Sequence, residues 1–433
     1  MTLDLETQIR RVADVAFDQT EPVQHPGGRV ELDRMSDDDG SRRRRSSWIA
    51  LVAASVLAVV ALSAVALTRR ADDSEEPGSV DTLDFAQGFS VRAMLAEIPL
   101  AGVDPAANTF VAGTDLARLA GLAGVERTAA SDPLTDPTAW VDLAFSDRTV
   151  AIANSTLFSA SVTAPGEFRE ELGFDFLDVD RYITAWVDVL DGADSSERSY
   201  SLDVFALGAG VDELAAAAGD DRVIDVGDGD DGEINPESVS AVRPIGRPLR
   251  VGVDPTGPVV AATRSTPFVN EWLTPDRASL ADVADLLEAA TQLDAVDELY
   301  SAQVASFSRD ASDVEFDRIE GVSASDIVID EAFTTVGIGW SGVGETRSTT
   351  IVYVFADDGA AARSVEPIER VLAPDAPLAT TAADVTTVGQ RFMLDAVSTV
   401  GRSVIVTGRT PADVNAADVA QLFSRSGPIS AHR

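Results

Sequence analysis

The densest set of metal-competent oxygens in the sequence is Asp225-Val-Gly-Asp-Gly-Asp-Asp-Gly-Glu233, with five carboxylates in nine residues. Oxygen-rich loops suit a hard cation such as Ca²⁺, so Asp225, Asp228, Asp230, Asp231 and Glu233 form the one metal candidate. An EF-hand register does not fit. With Gly232 as the turn glycine, Gly229 and Gly227 fall where ligands are required. In a chain of net charge −39 the run reads more simply as a solvated turn.

Other constellations carry less. A glycosidase needs two carboxylates at a set separation, but 72 acidic residues supply such pairs everywhere, so none is singled out. Gly208-Ala-Gly210 stands between a strand pattern and a helix pattern, as a phosphate loop would. It lacks a third glycine and any Lys, and the matching Asp357-Asp358-Gly359 is acidic, so both read as strand-to-helix turns. There is no Cys, which excludes disulfides, thiolate nucleophiles and Cys-ligated metals. The two His, His25 and His432, lie near the ends of the chain, which argues against Ser-His-Asp catalysis and His-bound zinc or iron. No catalytic or cofactor-binding residue is assigned, and no cofactor is expected. Trp140, Trp186, Trp272 and Trp340 fall in regular patterns and read as packing residues. Asn154-Ser-Thr156 is a sequon by pattern only.

The elements that would hold any site begin with an anchor. Trp48 to Leu67 has no charge, Pro or Gly. At about 1.5 Å per residue it spans roughly 30 Å, the thickness of a bilayer's hydrocarbon core. Arg42 to Arg45 precede it, backed by Arg34, Arg29, Arg11 and Arg10, whereas Asp72, Asp73, Glu75 and Glu76 follow Arg69 and Arg70. The arginine excess predicts a cytoplasmic N-terminus and an extracytoplasmic C-terminal region. Ala64-Val65-Ala66 has the shape of a cleavage site, but the 47 residues before the span exceed an ordinary signal-peptide n-region, favouring an uncleaved anchor.

Residues 1–47 hold eight Arg against ten acidic residues and 48–67 are uncharged, so all but −2 of the −39 lies beyond residue 67. Such a domain repels nucleic acid and anionic head groups. Every cation is Arg, with no Lys, as a high-G+C genome would give. In the tail, Leu5, Ile9, Val12, Ala16 and Phe17 recur at helical spacing, a short amphipathic helix ahead of a polar, disordered stretch.

Beyond the linker the chain repeats itself. LFSASV (157–162) parallels LYSAQV (299–304), and GFDFLDVDRYITAWVDVL (173–190) parallels GVSASDIVIDEAFTTVGIGW (321–340). ERSYSLDVFA (197–206) parallels TRSTTIVYVFA (346–356), each leading to an Ala-rich helix at Val211–Ala218 or Ala360–Leu372. RPLRVGVDPTGPVVAATRSTP (247–267) parallels RFMLDAVSTVGRSVIVTGRTP (391–411), two strands about a turn, with Thr266 or Thr410 capping a helix whose first residue is Pro267 or Pro411. Ile183, Ala185, Val187 and Val189 alternate with Thr184, Trp186 and Asp188, as half-buried antiparallel strands do. NTFVAGTDLARLAGLAG reads as strand then helix with Thr114 or Asp115 as cap, and DPTAWVDLAF starts another helix after Asp136 and Pro137.

The predicted fold is α+β: two duplicated hairpin-helix-hairpin-helix units, a mainly antiparallel sheet with helices on one face, and one transmembrane helix. The divisions are a tail (1–47), the span (48–67), a linker (68–80), an N-terminal α/β portion (81–156) and repeat units at 157–298 and 299–433. Through RRRRSSWIALVAASVLAVVAL, the Gly173–Asp180 stretch and the duplicated unit, the chain resembles the uncharacterised single-pass envelope proteins of actinobacteria. That resemblance implies a place in the cell and a layout, not a reaction. The partners expected are the bilayer, through residues 48–67, and an envelope ligand or protein, with no nucleic acid. The functional expectation is non-enzymatic binding or scaffolding at the envelope. The alternatives are a signalling protein whose tail docks a cytoplasmic regulator and a carboxylate-dependent hydrolase.

Overall fold

Unbroken apolar runs such as VVAAT and IVYVF make strands that are buried on both faces, and the architecture is built on them. The computed structural model describes residues 85–100, 103, 109–125, 156–174, 177–189, 198–208, 211–306, 329–343, 347–381, 384–411 and 414. The tail, the span 48–67, the linker and the helix expected after Pro137 lie outside these residues. Among the described residues no helix is long and apolar enough to cross a membrane.

The fold is α+β, built on one large antiparallel sheet. Its strands are β1 (Thr109–Asp115), β2 (Val179–Val189), β3 (Arg198–Leu207), β4 (Val223–Val226), β5 (Leu249–Val253), β6 (Val259–Thr263), β7 (Leu299–Ser306), β8 (Phe333–Ser341), β9 (Ser348–Phe355), β12 (Met393–Val400) and β13 (Ser403–Arg409). β10 (Pro377–Thr381) and β11 (Asp384–Thr387) form a separate hairpin. The order across the sheet is β12-β13-β9-β8-β7-β1-β2-β3-β6-β5-β4. Outward from the central β1/β7 pair, β1-β2-β3-β6-β5 on one side mirrors β7-β8-β9-β13-β12 on the other.

Helices cover both faces, not one. On the first face α1 (Val91–Ala96), α6 (Thr266–Trp272) and α7 (Ala284–Asp294) bury Met94, Phe268, Trp272, Leu286 and Leu293 against Val111, Ile183, Val204, Val304 and Val352. On the second lie α2 (Leu116–Ala123), α3 (Thr156–Thr163), α4 (Pro165–Leu172), α5 (Val211–Ala218) and α8 (Asp358–Val371). They pack Leu119, Phe158, Phe168, Leu214 and Ile368 with Tyr182, Phe205, Ile338, Trp340 and Tyr353. Alternation in β2 alone suggested a solvated face. The apolar runs of β5, β6 and β9 carry the contrary signal.

Close approach of α7 needs glycine beneath it. A Cβ on Gly337 would stand 2.9 Å from Leu293 Cδ1, and one on Gly339 would stand 2.6 Å from Leu299 Cδ1 and 3.0 Å from Leu293 Cδ2. The C-terminal Asp294 of α7 then caps α1, accepting from Val91 N at 2.6 Å and Arg92 N at 3.3 Å. This satisfies donors that a helix start leaves orphaned. At the exposed edge, β12 carries a register shift between Leu394 and Ala396, and the Asp395–Arg409 ion pair spans to β13. A bulge and charges are what discourage edge-to-edge association.

Two landmarks are corrected by the backbone. LFSASV is helix α3 while LYSAQV is strand β7, so that pair is not equivalent, and it is β1 that meets β7 at the sheet's centre. The cap of α6 is Ser265, accepting from Phe268 N at 3.3 Å, with Thr266 already the first helical residue. The helix expected after Pro411 lies outside the described residues. Asp115 caps α2, accepting from Arg118 N at 2.7 Å.

Leu293 is fully buried where α7 meets glycine-bearing β8, so Leu293→Ala is expected to cost about 2–5 kcal/mol, read by denaturant unfolding. With one continuous sheet the loss should appear in a single transition, and separate transitions for the two flanks would contradict this. Burial also pushes the Tyr182 and Tyr353 phenols well above the ordinary range. Their folded-state pKa values are raised, so their contribution to stability is full below about pH 10, where a free phenol titrates. It is lost as pH climbs from there toward the folded values. A Tyr182→Phe, Tyr353→Phe double variant should flatten the alkaline arm of a stability-versus-pH curve, and an unchanged arm would sink the assignment.

Candidate functional site

β4 and β5 place Asp225 directly across from Arg250. Arg250 is 7 % exposed, and its guanidinium gathers what the acidic loop offers. Nη1 lies 3.4 Å from Asp225 Oδ1, Nε lies 3.4 Å from Asp231 Oδ1, and Nη2 donates to the Gly229 carbonyl at 2.7 Å. Nε also donates to Thr266 Oγ1, whose hydroxyl donates to Asp231 Oδ1 at 2.8 Å. Three loop oxygens thus converge on a planar cation that the protein itself supplies, a geometry for which a guanidinium's fork is suited.

The remaining members of the set are not drawn into that cluster. Asp228 and Asp230 are exposed, and Glu233 closes a tight turn, its carboxylate accepting from Asp230 N at 3.1 Å while its own N donates to the Asp230 carbonyl at 3.0 Å. Among the described residues no group of three or more His, Asp or Glu could hold a metal ion.

Immediately after the acidic run lies a surface that no sequence motif marked. Residues 234–248 form an ordered loop pinned to α4: Arg243 Nε donates to Glu171 at 2.8 Å and Ala241 N to Glu167 at 2.9 Å. Asn235 N donates to the Gly246 carbonyl, and its side chain accepts from Glu237 N at 3.1 Å. Gly246 has φ +69°, and a Cβ there would fall 1.8 Å from the Asn235 carbonyl oxygen. On this frame Ile234, Val239 and Ile245 are 56, 54 and 43 % exposed, with exposed Asp230, Glu233 and Glu237 close to them in sequence. Three aliphatic side chains between Pro- and Gly-bearing turns were the available signal. A loop that only solvates has no use for them.

The other sequence candidates separate. Asp357 caps α8 by accepting from Ala360 N at 2.8 Å, which explains that acidic loop, and Gly208 directly follows β3. Trp340 is buried, and Trp272 Nε1 donates to Glu97 at 3.1 Å with Arg277 over its ring. Trp186 differs. It is 44 % exposed and stacked on Phe110 at 5.1 Å. Trp140 and Asn154 lie outside the described residues.

Removing the side chain that holds the loop should loosen it. Asp231→Asn is expected to lower stability by about 1–3 kcal/mol, because the buried guanidinium loses a charged acceptor. Exposed Asp228→Asn should stay within about 0.5 kcal/mol. Calorimetric melting of the two variants side by side checks this, and equal losses would overturn it. No protein-family model, curated protein or solved structure matches this chain.

Proposed function

We propose that the protein is anchored in the cell membrane through residues 48–67, with its N-terminus cytoplasmic, and that its extracytoplasmic domain binds or scaffolds a partner without catalysis. The observation that carries this reading is the exposure of Ile234, Val239 and Ile245 on a loop pinned to α4. Apolar side chains held out to solvent on such a frame, in a stretch rich in exposed carboxylates, suit a protein partner with an apolar contact and a basic rim. The layout shared with actinobacterial single-pass envelope proteins agrees with it. The mirrored order about β1/β7 supports an origin of the domain in two duplicated units, β1 and β7 opening the corresponding halves.

The absence of Cys makes a direct test simple. In intact cells a membrane-impermeant maleimide should label Val239→Cys, whereas Ser46→Cys should react only after permeabilisation. The opposite pattern would place the domain on the other side. A photo-crosslinker at Val239 should give a discrete adduct that one at exposed Asp212 does not. Turnover of a wall polymer or ester by the purified protein would sink the non-enzymatic reading.

A further inference from the structure

The two ends of the sheet are finished differently. β12 is bulged, and the Asp395–Arg409 ion pair crosses from it to β13. β4 pairs with β5 in an unshifted register, from Val223 opposite Gly252 to Val226 opposite Leu249, and no strand lies beyond it. Among the described residues no backbone group of Val223–Val226 has a hydrogen-bond partner outside that ladder. In an antiparallel pair alternate residues turn N–H and C=O to the far side, so β4 offers about four unpaired groups there. The apolar loop adjoins this edge. A Cβ on Gly227, the residue that follows β4, would stand 2.5 Å from Arg243 Nη1, so that guanidinium lies directly against the strand's end.

The loop is knotted by its own backbone. Asn235 N donates to the Gly246 carbonyl at 3.3 Å, Ser238 N to the Asn235 carbonyl at 2.9 Å, and Ser240 N to the Arg243 carbonyl at 3.1 Å. Gly246 N closes on that same Arg243 carbonyl at 2.8 Å. Ile234, Val239 and Ile245 are each next in the chain to one of these bonded residues, so one knot carries all three. Charge says what suits both edge and loop. Between residues 220 and 237 eight carboxylates stand against one cation, Arg222. Arg250 takes Asp225 and Asp231. Exposed Asp220, Asp221, Asp228, Asp230 and Glu237 form no ion pair among the described residues. A second copy of the chain would bring these carboxylates against their own kind, and like charges across a strand pair are destabilising. A basic segment meets no such cost.

Building on the partner-binding reading above, we propose that β4 accepts on its free edge an extended basic segment of a partner protein. The aliphatic residues of that segment reach Ile234, Val239 and Ile245, and its cations face the exposed carboxylates. Strand addition takes direction and register from main-chain hydrogen bonds and specificity from side chains at alternate positions. By itself a four-residue edge is a guarded one. The loop supplies the apolar contact that so short an edge lacks. An added strand that runs three or four residues past Val226 covers roughly 10–13 Å, enough to pass the contact of Gly227 with Arg243.

The test is calorimetric titration of the full chain, in nanodiscs of zwitterionic phosphatidylcholine, with four capped octapeptides. These are alternating Lys-Val, alternating Lys-Ser, alternating Glu-Val, and Lys-Val methylated at every backbone nitrogen. Lys-Val should bind. The other three should bind at least about tenfold more weakly, since they lack in turn the apolar contact, the cations and the strand donors. Hydrogen exchange at Val223–Val226 should slow when Lys-Val is present. The Ile234→Ser, Ile245→Ser double variant, altered only at exposed positions, should lose about tenfold or more in affinity at a parent-like melting temperature. Asp395→Asn, at the opposite edge, should bind as the parent does. No binding of Lys-Val, equal binding of any other peptide, unchanged exchange at β4, or indifference to the double substitution would each overturn the proposal. A Val239 crosslink in cells without slowed exchange at β4 would remove strand addition and leave the partner. Turnover of a wall polymer by the pure protein would remove the non-enzymatic reading and leave the edge.

Discussion

The pairing of β1 with β7 is the contact on which the rest of the domain depends. It joins strands almost two hundred residues apart in sequence, from Thr109 opposite Ser306 to Thr114 opposite Ser301. Without it the sheet would fall into two halves, each with a long bare edge that invites association. At its end the Thr114 and Ser301 hydroxyls share a 2.9 Å hydrogen bond, and Ser301 is bonded to the Gly113 carbonyl as well, so buried polar atoms at the seam answer one another. The approach of helix to seam is limited by Gly113, where a Cβ would stand 2.8 Å from Met94 Sδ of α1. A small residue at the centre, a buried hydroxyl pair and one cross-chain strand register together make a single sheet out of two halves.

A sheet covered by helices on both faces over most of its strands leaves few positions where side chains can serve anything but packing. That constraint is why the candidate surfaces lie where cover ends. The 234–248 loop projects between β4 and β5 at one extremity of the sheet, and Trp186 stands exposed on β2. Elsewhere polar groups are consumed by structure: Asp115, Asp294 and Asp357 cap helices, and Arg250 and Asp231 lock the acidic turn to α6. An acidic composition therefore says little about where a cation would bind. In the acidic run the carboxylates that converge have met Arg250, and Asp228 and Asp230 are solvated.

Much of the architecture was legible in the sequence because it rests on local chemistry. The order of strands and helices from Val179 onward tracks the apolar runs, Gly-bearing turns and Ala-rich stretches, and α5 falls on the expected Val211–Ala218. LFSASV and LYSAQV show where locality fails. Six residues of near-identical pattern form a helix in one place and a strand in the other, since short apolar runs fit both periods and their neighbours decide. The first is followed at once by α4, whose Phe168 packs on Phe174, while the second is held between β1 and β8. The α6 cap was displaced by one residue for a similar reason. Thr266 is engaged by Asp231, thirty-five positions away, and Ser265 is left to accept from the helix.

The candidate sites were the least legible part, and the reason is physical. The acidic run was conspicuous by composition, yet its geometry is set by Arg250, which appears in the sequence only as one polar residue inside an apolar strand. The surface of Ile234, Val239 and Ile245 has no motif of its own. Its exposure depends on a loop fastened to α4 by Glu167 and Glu171, some seventy residues earlier, and nothing in the spacing of the three residues announces it. In so acidic a protein, the arginine that a carboxylate run meets decides its shape more than the run's own composition does.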